Sequence, residues 1–270
     1  MLNKKKSLII IVVIVFLFQT IKFYEYYSEY SAWQYADWTI NYQGGLIRRG
    51  LIGEILFKIH KLFMIRLDLI ILIFVTSLFF LLGYFLIRSL KYLDNSKLDI
   101  LIFLSPGFFI YPMMNSGAVG RKDILITLAV AFFVFFEKKF KSKNLLLLLL
   151  TSMFFVSLSH SGLLFYTPYL VFIYFLAKVK RNEKIGAKEL ISVLLFSLMI
   201  LSFIIFNQGT ADQVFDICQS VKEFVIKNCE NSGQFSWLST TLNENINYKL
   251  NTNYKDYTIV YLLSLFLVYF

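Results

Sequence analysis

The chain has 270 residues, of which 58% are hydrophobic and 16% are charged, and a soluble domain of this length needs more charge to cover its surface. The net charge of +10 does not indicate binding to nucleic acid, because the basic residues lie in short clusters between apolar runs. Such clusters orient helices and contact anionic lipid headgroups. The composition therefore predicts a membrane protein embedded in a lipid bilayer.

Eight apolar runs follow one another along the chain, and the sequence predicts one transmembrane helix for each. They cover residues 7–23, 67–87, 100–112, 124–136, 145–158, 163–177, 189–206 and 258–270. Helices satisfy their own backbone hydrogen bonds in lipid. The predicted fold is therefore an all-α polytopic membrane protein, a single transmembrane domain over residues 1–270 with about eight transmembrane helices.

The four middle runs are shorter than the roughly 20 residues of a simple span. Either lysine and aromatic side chains extend their ends toward the interface, or the helices stop inside the membrane beside an enclosed cavity. Pro112, Gly117 and Gly120 interrupt one helix pair, and the turn at 159–162 interrupts another. These residues favour the second explanation on the outer side.

The distribution of lysine and arginine predicts which segments face the cytoplasm. The first run follows three lysines and has no small-residue cleavage site after it, so we interpret it as an uncleaved span. Loops rich in basic residues stay inside. With a cytoplasmic N-terminus, 15 of the 27 basic residues fall in short inner segments, at 1–6, 88–99, 137–144 and 178–188. The outer segments are then 24–66, 113–123, 159–162 and 207–257, and the last is long enough for a small cap.

The first outer segment concentrates polar residues that can bind an anion. It contains Asp37, Arg48 and Arg49, with several glycines close by. Glycine lets the backbone approach an anionic ligand closely, and arginine binds phosphate oxygens bidentately. The pattern from Leu51 to Ile65 predicts an amphipathic helix in the membrane interface. An ordinary loop with interfacial tryptophans and lipid-anchoring arginines is the alternative interpretation.

The second and third outer segments carry further candidates. Arg121, Lys122 and Asp123 stand at a predicted helix start beyond a short helix, so we expect them below the outer surface. Charges at that depth are costly and usually functional. Asp123 suits a helix N-terminus, and a glycine-rich approach to a helix N-terminus binds anions. His160 lies in the tight turn of the third segment, where a structural role and a role in the site are both open.

The C-terminal part of the chain carries both cysteines and ends without a polar anchor. Cys218 and Cys229 have no His or Cys partner at metal-ligand spacing. A disulfide in an outer segment and two free thiols are both open. The chain ends at Phe270, inside an apolar run. We therefore expect either a truncated version of a longer protein or a last helix that packs atypically.

Two motifs carry a resemblance to a known class of proteins. The architecture resembles GT-C-type glycosyltransferases, with charged residues on outer loops, a carboxylate after the first span and an interfacial helix in the first outer loop. More narrowly, it resembles the Wzy-type polymerases of surface-polysaccharide (O-antigen or capsule) biosynthesis. The matching motifs are Asp37-Trp38…Asn41…Gly44-Gly45…Arg48-Arg49-Gly50-Leu51…Gly53 and Gly120-Arg121-Lys122-Asp123.

The resemblance implies a function on the outer face of a bacterial inner membrane. It implies sugar donors linked to polyprenyl phosphate or diphosphate, no cofactor (with a divalent metal left open), and other glycan-assembly membrane proteins as partners. By position, Asp37 matches the first-loop carboxylate of the family. Non-enzymatic alternatives are a lipid or polysaccharide transporter, such as a flippase component, and a structural membrane subunit.

The chemistry of glycosyl transfer assigns roles to the candidate residues. The reaction needs a base near the acceptor hydroxyl and positive charge to stabilise the departing phosphate. The expected catalytic residues are Asp37, Asp123 and His160, and the expected phosphate-binding residues are Arg48, Arg49, Arg121 and Lys122. We expect all of them to surround one outward-facing cavity.

Overall fold

The computed structural model describes residues 2–90, 113, 115–241, 244, 247 and 251. These residues form helices and turns, and no β-strand occurs among them. The all-helical class predicted from the sequence is thus confirmed for this part of the chain. The α-helices in chain order are α1 Leu2–Ser28, α2 Leu51–Phe63, α3 Leu67–Ser89, α4 Ile124–Phe136, α5 Ser142–Ser159, α6 Thr167–Lys180, α7 Ala187–Phe206, α8 Ala211–Ser220 and α9 Gly233–Ser236. Short 3-10 helices lie at Ala36–Thr39, Ser116–Ala118, Ser161–Tyr166 and Cys229–Asn231.

Several helices have the length and apolar character of membrane spans. Among the described residues, five qualify: Lys5–Ser28, Leu67–Ser89, Ser142–Ser159, Ser161–Lys180 and Ala187–Phe206. The chain is therefore a multi-pass membrane protein. Helix α4 is a shorter apolar helix of 13 residues, about 20 Å long at 1.5 Å per residue. The predicted spans at 100–112 and 258–270 lie outside the described residues, so the total of eight stays a prediction.

Two of the middle spans are longer than their apolar runs. Helix α5 begins at Ser142 and has 18 residues, because the polar residues Lys143 and Asn144 belong to its first turn. The 3-10 helix Ser161–Tyr166 continues directly into α6, and together they form a segment of 20 residues. Both helices are thus extended mainly by polar residues, as the first explanation expects, and the position of their outer ends within the membrane stays a prediction. Helix α4 keeps its predicted bounds.

The helices pack into two joined apolar cores. Helix α1 lies along α3, and α3 contacts α4. Phe23 and Phe79 meet edge to face in this first core, with ring centroids 6.1 Å apart. The second core lies among α4, α5, α6 and α7, where Phe133 and Tyr174 are fully buried. Only 11% of the most apolar stretch of α7 is buried against the other described residues. This helix therefore lies at the edge of the described bundle.

Helix α2 packs against α3, α5 and the Ala36–Thr39 turn. The sequence spacing predicts Glu54, Lys58 and Lys61 on one polar face. The structure instead buries Glu54, which accepts hydrogen bonds from the Tyr42 backbone N–H at 3.0 Å and from the Gln43 side chain. Glu54 is therefore buried although it lies on the same face as Lys58, because the first loop folds back onto α2. The placement of α2 in a membrane interface stays a prediction.

Candidate functional site

Asp37 lies in a turn that the surrounding structure holds rigidly. The Ala36–Thr39 turn is buried throughout, and the Trp38 indole N–H donates a 2.6 Å hydrogen bond to the Gly120 carbonyl. The loop after the turn crosses α2 at Gly53, where a β-carbon would overlap the Ile40 carbonyl oxygen. These contacts fix the segment 24–66 against the segment 113–123 and place the Asp37 carboxylate inside the protein, where it is 1% exposed.

Lys122 is the nearest cation to Asp37. Its Nζ lies 3.5 Å from Asp37 Oδ1, donates to the Ser159 carbonyl at 3.0 Å and sits 5.8 Å from the centre of the Trp38 ring. The lysine is 0% exposed, and a buried ammonium needs such a set of partners. Gly120 makes the approach possible, because its φ is +75° and a β-carbon there would overlap the Phe23 ring.

Arg49 is the second buried cation beside Asp37. Its Nη1 lies 4.0 Å from Asp37 Oδ1 and donates to Gln234 Oε1 at 2.8 Å. Its Nη2 donates to the Gln234 carbonyl. The same Nη1 is 3.4 Å from His160 Nε2. We call Asp37, Arg49, Lys122 and His160 the charged cluster.

The charged cluster and Gln234 together join the four segments that the sequence predicts on the outer side. Asp37 and Arg49 come from 24–66, Lys122 from 113–123, His160 from 159–162, and Gln234 from 207–257. A backbone hydrogen bond adds to these side-chain contacts, because the Gly50 N–H donates to the Leu158 carbonyl at 3.0 Å. Segments far apart in sequence therefore meet at one end of the helical bundle.

Three other predicted site residues lie beside the cluster or turn away from it. Arg48 donates to the carbonyls of Trp237 and Thr240, so it fastens the fourth segment and does not contact Asp37. Arg121 and Asp123 pair with each other at 3.3 Å, and both side chains are about half exposed. The expected open cavity is also not what surrounds Asp37, because it and its two cations are almost fully buried.

The environment sets the charge of each member of the cluster. Burial raises the pKa of Asp37, but Lys122, His160, Arg49 and Arg121 together outweigh it and hold the pKa below its usual value. Burial lowers the pKa of Lys122 to about 8, against the opposing effect of Asp37. Burial also lowers the pKa of His160 to about 4, and the neighbouring cations add to this effect.

At neutral pH the charged cluster therefore carries surplus positive charge. Asp37 is ionised and contributes −1, whereas Arg49 and Lys122 contribute +1 each and His160 is neutral. The sum is +1. A buried surplus charge is costly unless a counter-charge, water or an anionic ligand accompanies it.

Two hydrogen-bond donors in the cluster are buried without a partner among the described residues. One is Arg49 Nε and the other is His160 Nδ1. Because the guanidinium can only donate, His160 Nε2 must accept from it, and the neutral ring then carries its proton on Nδ1. A β-carbon at Gly162 would lie 3.2 Å from this Nδ1. Buried donors without a partner are rare in proteins, and both suit an oxygen ligand.

The sequence did not single out two polar residues that the structure makes prominent. Gln234 binds Arg49 with both its side chain and its backbone. Asp68, at the start of α3, is 1% exposed and accepts two hydrogen bonds from Arg66, the shorter at 2.7 Å. A carboxylate two residues after an arginine at the beginning of an apolar run was a usable signal for Asp68. Gln234 lies in a polar stretch with no comparable pattern.

Cys218 and Cys229 form a disulfide, with their α-carbons 5.9 Å apart. The sequence left open whether these cysteines form a disulfide or stay free thiols, and the structure contains the disulfide. The two cysteines and Glu230 lie close enough together to hold a metal ion. Since the two sulfurs are bonded to each other, neither can act as a thiolate ligand, and this group is not a metal site while the disulfide is intact.

Comparison of the chain with protein-family models, curated proteins and solved structures finds no match. The resemblance to GT-C-type and Wzy-type proteins therefore depends on the predicted architecture and the two sequence motifs alone. Function has to be argued from the chemistry of the charged cluster and its position at one end of the membrane helices.

Proposed function

We propose that the chain transfers or polymerises sugars from polyprenyl-phosphate- or polyprenyl-diphosphate-linked donors on the extracytoplasmic face of a bacterial inner membrane. The observation that carries the proposal is the charged cluster, where one carboxylate meets two buried cations and two donors that have no partner in the described part of the chain. A lipid-linked phosphate supplies the missing negative charge and the oxygen acceptors. It also reaches the end of a helical bundle directly from the bilayer.

The proposed orientation places the N-terminus in the cytoplasm and the charged cluster outside. Disulfides persist in oxidising compartments, so the Cys218–Cys229 bond supports an extracytoplasmic position for the fourth segment. Two of the basic segments predicted inside, 137–144 and 178–188, also meet one another. Arg181 donates to the Phe140 carbonyl at 2.9 Å and pairs with Glu137 at 3.4 Å. This arrangement agrees with the rule that basic loops stay inside.

In the proposed reaction Asp37 is the base and the cations bind the phosphate. Asp37 accepts the proton of the acceptor hydroxyl, the hydroxyl oxygen bonds to the anomeric carbon of the donor sugar, and the bond from that carbon to the phosphate oxygen breaks. Arg49 and Lys122 stabilise the departing phosphate. When they bind the phosphate they hold Asp37 less tightly, and the carboxylate becomes a stronger base.

The structure changes the proposed role of His160. The sequence suggested a catalytic acid or base, but a pKa of about 4 keeps the ring neutral at physiological pH. A neutral ring whose Nδ1 carries the proton can donate a hydrogen bond to a phosphate oxygen. We therefore assign His160 to phosphate binding together with Arg49, and we retain Asp37 as the base.

Exchange of Asp37 for asparagine, with a matched control, tests the proposed function. Asp68 is an equally buried carboxylate paired with Arg66, but it lies outside the charged cluster. Cells that lack their own copy are complemented with wild type, Asp37→Asn or Asp68→Asn at equal levels in the membrane. Surface polysaccharide and lipid-linked sugars are then measured by mass spectrometry.

We expect Asp37→Asn to abolish the polymer and to leave lipid-linked sugars accumulated on the outer leaflet, while Asp68→Asn still makes polymer. Normal polymer from Asp37→Asn would refute the role of Asp37. Accumulation of the lipid-linked sugars on the inner leaflet would indicate a flippase component instead.

A further inference from the structure

The fourth outer segment is fastened to the charged cluster through two adjacent arginines. We call residues 207–241 the cap. Arg48 donates to cap carbonyls at Trp237 and Thr240, and Arg49 donates to the side chain and the backbone of Gln234. The twin arginines therefore divide their contacts. Among the described residues, the Arg48 side chain donates hydrogen bonds to the cap alone, whereas Arg49 connects the cap to Asp37.

Gln234 has a fixed position within the cap. Its side chain is 7% exposed, and its backbone N–H donates to the Ala32 carbonyl at 2.9 Å. The preceding residue, Gly233, has a φ of +52°, and a β-carbon there would overlap the Ala32 backbone. The chain can therefore pass this close to the first outer segment only with glycine at position 233.

The disulfide connects this contact to the rest of the cap. Cys229 lies five residues before Gln234 and is bonded to Cys218 on α8. Both cysteines are almost fully buried, at 1% and 3% exposure. Helix α8 itself packs on the first outer segment, because a β-carbon at Gly44 would overlap the Gln213 carbonyl. The cap is thus anchored on both sides of the disulfide.

We propose that Gln234 is a positioning residue for Arg49, held in place by the Cys218–Cys229 disulfide, and that it directs the Nε edge of the guanidinium toward an anionic ligand. This proposal deepens the proposed function, on which its anion-binding part rests. Gln234 occupies Nη1 and Nη2 and leaves Nε without a partner among the described residues. A glutamine is neutral, so it orients the cation without cancelling its charge.

A neutral partner distinguishes this arrangement from an ordinary buried ion pair. A glutamate in place of Gln234 keeps the size and the acceptor atoms, so it still orients Arg49. It also adds a negative charge 2.8 Å from Nη1, and like charge near a site repels an anionic ligand. Gln234→Glu should therefore preserve the orientation and weaken the binding. Gln234→Leu removes the acceptor of Nη1 and keeps only the backbone carbonyl on Nη2, so it should weaken both the orientation and the binding.

The first measurement reports the orientation of Arg49 without any ligand. Full-length protein labelled with [15N]arginine, in lipid nanodiscs, should give resolved guanidinium NMR signals for Arg49, assigned with Arg49→Lys. We expect these signals to persist in Gln234→Glu and in the control Gln213→Glu, which makes the same exchange elsewhere in the cap. In Gln234→Leu, and in the wild type after reduction of the disulfide, motion of the Arg49 side chain should average these signals so that they are no longer resolved. Persistence of resolved signals in both of these states would overturn the proposal.

The second measurement uses farnesyl diphosphate as a soluble polyprenyl diphosphate probe. We expect Gln234→Glu to raise the dissociation constant by at least about tenfold, with Gln213→Glu unchanged. Equal affinity of Gln234→Glu and wild type would overturn the charge argument. If wild type does not bind the probe while the NMR signals behave as expected, the proposed function fails and the positioning role of Gln234 stands.

Discussion

The ion pair between Asp37 and Lys122 should be strongly coupled energetically. The two charged atoms are 3.5 Å apart, and the side chains are 2% and 0% exposed. Two unit charges at this distance attract each other by about 5 kcal/mol at an effective dielectric constant of about 20. Desolvation offsets much of this attraction, so the measurable quantity is the effect of breaking the pair. We expect Asp37→Asn to lower the free energy of unfolding by about 3–5 kcal/mol.

A double-mutant cycle separates the coupling from the effects of the single exchanges. Asp37→Asn leaves Lys122 and Arg49 buried without a carboxylate. Lys122→Met leaves Asp37 with Arg49 at 4.0 Å, so it should cost less, about 1–3 kcal/mol. The double variant should cost less than the sum of both by at least about 1.5 kcal/mol. Reversible unfolding in mixed detergent micelles measures all four proteins, and additivity within about 0.5 kcal/mol would refute the pairing.

Four further predictions concern Lys122, Gly120 and the disulfide. Because the pKa of Lys122 is about 8, affinity for farnesyl diphosphate should fall as the pH rises through about 8, and Lys122→Arg should remove this step. The free energy of unfolding should gain a contribution from Lys122 as the pH rises from 8 toward its unfolded value of 10.5, since the unfolded state binds the extra proton there. Gly120→Ala should cost about 1–3 kcal/mol in unfolding free energy, because its backbone is left-handed and a β-carbon would overlap the Phe23 ring. In the control Gly117→Ala the nearest atom to the β-carbon is 3.2 Å away, so it should cost under about 1 kcal/mol. The Cys218→Ser/Cys229→Ser variant should lose at most about 3 kcal/mol of stability, because the disulfide closes a short loop; two free thiols in non-reduced peptides of the wild type would contradict the bond itself.

Hydropathy and charge patterns predict a large part of this architecture. Alternating spans put Asp37, Lys122 and His160 on one side, because each follows or precedes an apolar run of the correct parity. The structure brings these three residues close together. Apolar residues at helical spacing indicate which face of a helix is buried, and the lengths of apolar runs indicate where the chain crosses the membrane. Both patterns are strong in a chain this apolar.

The details that failed depend on contacts that no local pattern encodes. Arg48 and Arg49 are adjacent and look equivalent in the sequence, but neighbouring side chains in non-helical backbone point in different directions. Glu54 has the spacing of an exposed face, yet the first loop covers it and uses it as a hydrogen-bond acceptor. Gln234 reaches Arg49 only because the cap folds across a distance of 185 residues in the chain.

The position of a bound lipid phosphate tests the central claim most directly. Crystals of the full-length protein grown in a lipidic mesophase with farnesyl diphosphate would show where the probe binds. We expect phosphate oxygens within hydrogen-bond distance of Arg49 Nε and His160 Nδ1, with Lys122 nearby and with the terminal phosphate, which carries the sugar in a lipid-linked donor, facing Asp37. A phosphate bound elsewhere, with the charged cluster closed around water alone, would contradict it.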